Sequence, residues 1–153
     1  MPSSPTPLSI LVGSQPLLKP VISLASWTLV MEAWMYAHRI PAISKYNVDT
    51  SPESTKEDMN ARIPRRLQWP ADNYNHLMEQ PTQFYAVALA LNALGRNDQT
   101  TVVLAWTYVG LRIVHSVVQS VANPVGIRFL IFASSSLTLL GLTGKAAMAL
   151  LQL

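Results

Sequence analysis

Long apolar runs alternate with polar breaks along this chain, and the runs predict its elements. Four stand out: residues 17–40, 69–95, 99–122 and 125–151. Each is near the ~20 apolar residues that a helix needs to cross a bilayer. A chain that crosses lipid in helices satisfies its backbone internally. The expected fold is therefore all-α, a bundle of four transmembrane helices. Pro41 is placed to stop the first helix. Lys19 and Arg39 bracket that helix, and Trp27, Trp34 and Tyr36 supply rings suited to an interface. Pro70 suits the first turn of the second helix, and Pro81 is expected to kink it. Asn123-Pro124 marks a turn, and Gly141 and Gly144 offer room for close helix contact. Residues 42–68 form the one long hydrophilic stretch, expected as a loop with a short helical turn after Ser54. Residues 1–16 are rich in Pro and Ser and lack the basic start of a secretory signal, so they read as a short tail.

Polar residues interrupt two of the runs in phase with a helix. In the third, Arg112, His115, Ser116 and Gln119 share a stripe. In the second, Asp72, His76, Glu79 and Gln83 are spaced four, three and four apart, with Asn75 beside them. Ionisable side chains inside a hydrophobic span are costly and rarely face lipid. They imply either a buried ion pair that holds helices together or a polar ligand. Glu32 in the first run reads as a buried, protonated or hydrogen-bonded carboxylate.

Charge sets the orientation. Only 12% of residues are charged while 50% are hydrophobic, against the roughly 25% charged of a typical soluble domain. Lys45, Lys56, Arg62, Arg65 and Arg66 lie between the first two runs, and Lys19, Arg96 and Lys145 lie at the opposite ends. The 42–68 loop is therefore predicted to be cytoplasmic. Glu79 and Arg112 then fall at matching depth, roughly 10–15 Å below that face, where acid and base can pair. The net charge of +3 is not laid out as a nucleic-acid face. No cysteine is present, which excludes disulfides, thiolate metal sites and a protein thiol nucleophile. No metal site is expected. More cationic and polar groups converge on the cytoplasmic half than one carboxylate satisfies. That excess points to an anionic, peptide-like ligand.

Residues of these stripes carry a family resemblance. The second run contains ADNYNHLMEQP, with His76-x-x-Glu79 followed by Pro81, and the third contains Arg112-x-x-His115-Ser116. Arg128 follows after a short turn. The order and layout resemble the MAPEG family, membrane-associated proteins of eicosanoid and glutathione metabolism, in a little-characterised bacterial-type branch. The resemblance implies one domain over 1–153, a homotrimer of four-helix subunits in a lipid bilayer, and glutathione held in clefts open to the cytoplasmic side. Arg39, Asn75, His76, Glu79, Arg112, His115 and Gln119 are the implied glutathione-binding residues. Arg128, with Arg112 second, is the implied catalytic group that stabilises the glutathione thiolate. The implied activity is that of a glutathione transferase or peroxidase acting on lipophilic small molecules. The pattern departs from well-studied members at Asn75-His76, at Gln119 in place of a tyrosine, and at Phe129 in place of a serine. Those departures keep an alternative open, a non-catalytic membrane module that binds a lipid or a partner protein.

Overall fold

The computed structural model describes residues 15–152. The tail expected over 1–16 lies outside them except for Gln15 and Pro16. The described residues contain six helices and no strand: α1 (Leu18–Lys45), α2 (Lys56–Arg62), α3 (Arg65–Leu77), α4 (Pro81–Ala93), α5 (Gln99–Val121) and α6 (Val125–Leu150). α5 and α6 are each long and apolar enough to cross a membrane.

Two boundaries depart from the sequence pattern. Pro41 does not stop α1, which continues through it to Lys45. A proline in the last turns removes one ladder hydrogen bond, and its ring here is exposed, where no neighbour is displaced. The second run is not one kinked helix. It starts earlier, at Arg65, and divides into α3 and α4 around a joint at Met78–Gln80, with Pro81 opening α4. Pro81 has no N–H to donate back to Leu77, so the ladder ends there, and proline is well placed in the first turn of the helix that follows.

Local chemistry fixes the remaining ends. Thr55 and Asp58 form a reciprocal capping box that starts α2. Asp98 caps α5 by accepting from the Thr101 backbone N–H at 3.2 Å. Its hydrogen bond from the Thr101 hydroxyl and its contact with the Lys145 ammonium hold its carboxyl well below the usual range. Gly95 adopts φ +66° past the end of α4, and the Arg96 N–H closes back on the Leu91 carbonyl. Asn123 does the same after α5 with φ +56°, its N–H reaching the Val118 carbonyl at 2.8 Å.

The interior is divided along its length. Away from the loop, Leu17, Val21 and Leu24 pack with Phe84, Ala88 and Leu91, with Ala105, Tyr108 and Val109, and with Leu139 and Leu142. Phe84 and Tyr108 stack at 4.5 Å between centroids. Towards the loop the same bundle buries Asn73, Arg112, His115, Ser116, Gln119 and Ser120 instead. Beyond these, α2 and its flanks fold onto the end of α1 through Ala42, Val48 and Ile63, with Ile43, Tyr46, Met59 and Leu67 around them. Gln68 donates to the Asn60 carbonyl at 2.7 Å and ties that cap to α3. The α6 glycines are not points of close approach: a Cβ on Gly141 would meet Leu104 at an ordinary 3.8 Å, and one on Gly144 would meet nothing within 4 Å. Much of α6 is covered by exposed apolar side chains, among them Ile127, Phe129, Leu130, Leu137 and Leu140. A soluble monomer does not leave so much apolar surface open.

Candidate functional site

α5 supplies the inner wall of the site. Its buried positions run Thr101, Ala105, Tyr108, Val109, Arg112, His115, Ser116, Gln119 and Ser120, one continuous helical stripe. The stripe turns from apolar to polar at Arg112. α3 and α4 run antiparallel to it: Phe84 meets Tyr108, and His76 meets both Arg112 and His115.

Arg112 is completely buried. Its guanidinium lies 5.8 Å from the Tyr108 ring and 5.5 Å from the Phe132 ring, both within cation–π reach. Its one hydrogen bond, from Nη2 to the His76 carbonyl, is long at 3.5 Å. That carbonyl belongs to the last turn of α3 and also accepts from the Glu79 backbone N–H at a long 3.4 Å. Nε and Nη1 have no partner, and the Tyr108 hydroxyl faces the guanidinium without reaching hydrogen-bond geometry. Other buried polar atoms of α3 and α5 are also unpartnered: Asn73 Nδ2 and Oδ1, Ser116 Oγ, Gln119 Oε1 and Ser120 Oγ.

A cavity of about 210 Å³ opens beside this stripe, lined by His76, His115, Val125, Arg128, Phe129 and Phe132. The His76 and His115 rings lie 5.0 Å apart, and Phe132 lies 5.1 Å from His76. Arg128 stands in the first turn of α6. Its Nη1 donates to the Asn123 side chain, and its Nε has no partner. The left-handed Asn123 thus does two things: it closes α5 and orients Arg128 towards the cavity. Gln80 in the α3–α4 joint donates to Ser136 Oγ at 2.7 Å and pins the joint to α6. Ser134, Ser135 and Ser136 all donate to carbonyls of their own helix.

Several sequence expectations change here. Glu79 does not pair with Arg112. Its side chain is 71% exposed and its carboxylate meets His76 Nδ1 at 3.1 Å. Glu79 lies in the α3–α4 joint itself, which turns it to the outer edge. Asn75 is exposed, and Asn73, two residues earlier, is the buried amide. Arg39 lines no part of the cavity and has no hydrogen bond or ion pair among the described residues. Glu32 is half-buried, not enclosed. His76, Arg112, His115, Gln119 and Arg128 do come together. Asn73 was legible in principle, because Pro70, Asn73 and Leu77 share helical phase and Asn75 lies outside it. Tyr108 extends the stripe by one turn at its start, and Ser120 adjoins Gln119 at its end.

Fold and site together define a class: an all-helical, membrane-type bundle whose interior carries a cationic, polar stripe beside an open cavity. The chain belongs to the MAPEG family, whose sequence model matches residues 17–148. No curated protein and no solved structure gives a significant match. Membership agrees with the apolar helices in pointing to the membrane, and to chemistry related to glutathione or eicosanoids.

Proposed function

We propose that this protein is a four-span membrane glutathione transferase or peroxidase that works as a homotrimer on lipophilic electrophiles. The observation that carries the reading is the buried Arg112, which has two free guanidinium nitrogens and lies beside the Arg128 cavity. A buried cation with unmet donors is expensive unless an anion completes it. Glutathione offers two carboxylates and a thiol, and the unpartnered donors fit them by type. In the four-span reading α1, α5 and α6 each cross, α3 and α4 cross together, and the 42–68 segment faces the cytoplasm. The exposed apolar side chains of α6 suit lipid and neighbouring subunits alike. A trimer also covers the outward-facing Glu79 and Gln83, which sit poorly against lipid.

The residues divide the work. Arg112 and Asn73 hold the peptide end of the ligand, and Gln119 and Ser116 extend the contacts towards the cytoplasmic face. His76, fixed by Glu79, and His115 form the floor of the cavity. Bound glutathione supplies the thiolate that attacks the electrophile. Arg128 holds that sulfur as an anion, aided by the first-turn amides of α6. Phe129 and Phe132 offer an apolar edge to the second substrate. The enclosure of Arg112 and the modest cavity favour one rival reading, a non-catalytic lipid-binding module. Calorimetry on detergent-purified protein separates them. Saturable heat with glutathione, lost in Arg112→Met, supports the proposal. No heat with glutathione overturns it.

A further inference from the structure

Arg112 poses an electrostatic problem even before any substrate binds. Its side chain is completely buried, yet it forms no ion pair among the described residues. The rings of Tyr108 and Phe132 face it but carry no net charge. The carboxylate placed to neutralise it, Glu79, is held by His76 at 3.1 Å and is largely exposed. His76, His115 and Arg128 are the other titratable groups around it, and none supplies negative charge. Water satisfies donors but does not balance a cation in a medium of low dielectric.

Unpartnered donors also lie on the adjacent turns of both helices. α3 and α5 are antiparallel, and His76 meets Arg112 across them. One turn back on α3 is Asn73, and one turn on along α5 is Ser116. Both are completely buried, and Asn73 Nδ2 and Ser116 Oγ have no partner. With Arg112 Nε and Nη1 they make four free donors. We propose that Arg112, Asn73 and Ser116 seat a single chloride-sized anion while no carboxylate ligand is bound. The anion and a ligand carboxylate then compete for one guanidinium. The seat stands apart from the glutathione reading, and only the competition rests on it.

Chloride itself is the probe. Chlorine-35 line broadening and thermal unfolding are measured on detergent-purified protein, with gluconate replacing chloride at constant ionic strength. The seat gives saturable broadening and a melting temperature that rises with chloride. Both effects weaken in Ser116→Ala, which removes one hydroxyl and leaves the packing of the bundle in place, and vanish in Arg112→Met. Sulfate, larger and doubly charged, fails to substitute. Broadening absent from wild type, or equal stabilisation by gluconate, overturns the proposal. So does broadening that appears only in Glu79→Gln, because Glu79 is then the counter-ion. Where glutathione binds, its apparent Kd doubles when chloride equals its own Kd. A Kd indifferent to chloride refutes the shared seat. Failure of glutathione to bind at all leaves the broadening intact and refutes only the glutathione reading.

Discussion

Arg112→Met isolates the cost of the buried guanidinium. Methionine has similar reach, no donors and enough flexibility to fill the space. In the wild type two guanidinium nitrogens lack partners, and each unmet buried donor costs about 1–3 kcal/mol. Opposing this are the 3.5 Å contact to the His76 carbonyl and two ring contacts at 5.8 and 5.5 Å. Those ring contacts contribute about 0.5–2 kcal/mol each, and the long hydrogen bond at most about 1 kcal/mol. The balance favours methionine by roughly 0.5–1.5 kcal/mol. For a chain of this size that is a rise in melting temperature of roughly 1–6 °C. Tryptophan fluorescence during heating of detergent-purified protein in gluconate reads it. In chloride the gap narrows, because the wild type gains a counter-ion that the variant does not bind. The same variant loses glutathione affinity, so stability and binding move in opposite directions. A variant less stable than wild type in gluconate refutes the reasoning: the guanidinium then has protein partners strong enough to outweigh its unmet donors.

Three further outcomes follow from other contacts. Gln80→Leu and Ser136→Ala each lose about 1 kcal/mol from the hydrogen bond that pins the α3–α4 joint, and the double variant loses less than the sum; additivity in thermal unfolding denies the bond. Asp98→Ala lowers the melting temperature at neutral pH, because the folded state holds that carboxylate below its ordinary value through Thr101 and Lys145. A depressed pKa gives stability that is present above the unfolded value and lost as pH falls through the folded one, so the gap to wild type closes only in strong acid; a gap that persists there assigns the effect to packing. Tags placed in the 42–68 segment of sealed vesicles are reached from the cytoplasmic side only; protection from a protease on that side overturns the orientation.

Much of the fold is legible because burial and period coincide. α5 and α6 follow their apolar runs to within a residue or two, helped by caps that the sequence displays, Asp98 and Asn123-Pro124. The joint between α3 and α4 is less so. Pro81 signals an interruption, but whether a proline bends a helix or ends it depends on what receives the freed carbonyls. Here the His76 carbonyl is shared between the Glu79 N–H and Arg112, the latter 36 residues away in the chain. That joint explains why Glu79 does not pair with Arg112. On an unbroken helix it lies one turn from His76, on the stripe that was expected to face Arg112. With the helix broken, His76 remains inside and Glu79 swings to the edge. Asn73 is hard to read from the sequence for a related reason: the charged stripe runs through Asp72 and His76, whereas packing buries the adjoining stripe through Pro70, Asn73 and Leu77. The polar positions of α5 needed no such correction, because an arginine inside an apolar run has few places to go but inward.

The proposed activity rests on Arg128 stabilising a thiolate, and ultraviolet difference absorbance of bound glutathione tests that directly. A free thiol of this kind titrates near ~8.5, so little thiolate exists at neutral pH without help. The wild-type protein is expected to show a thiolate band on glutathione binding at neutral pH. In Arg128→Leu the band should appear only at higher pH, with conjugation slowed roughly a hundredfold if ~3 kcal/mol of anion stabilisation is lost. Glutathione that binds but remains a thiol at neutral pH in the wild type would contradict the enzymatic reading and leave a binding module in its place.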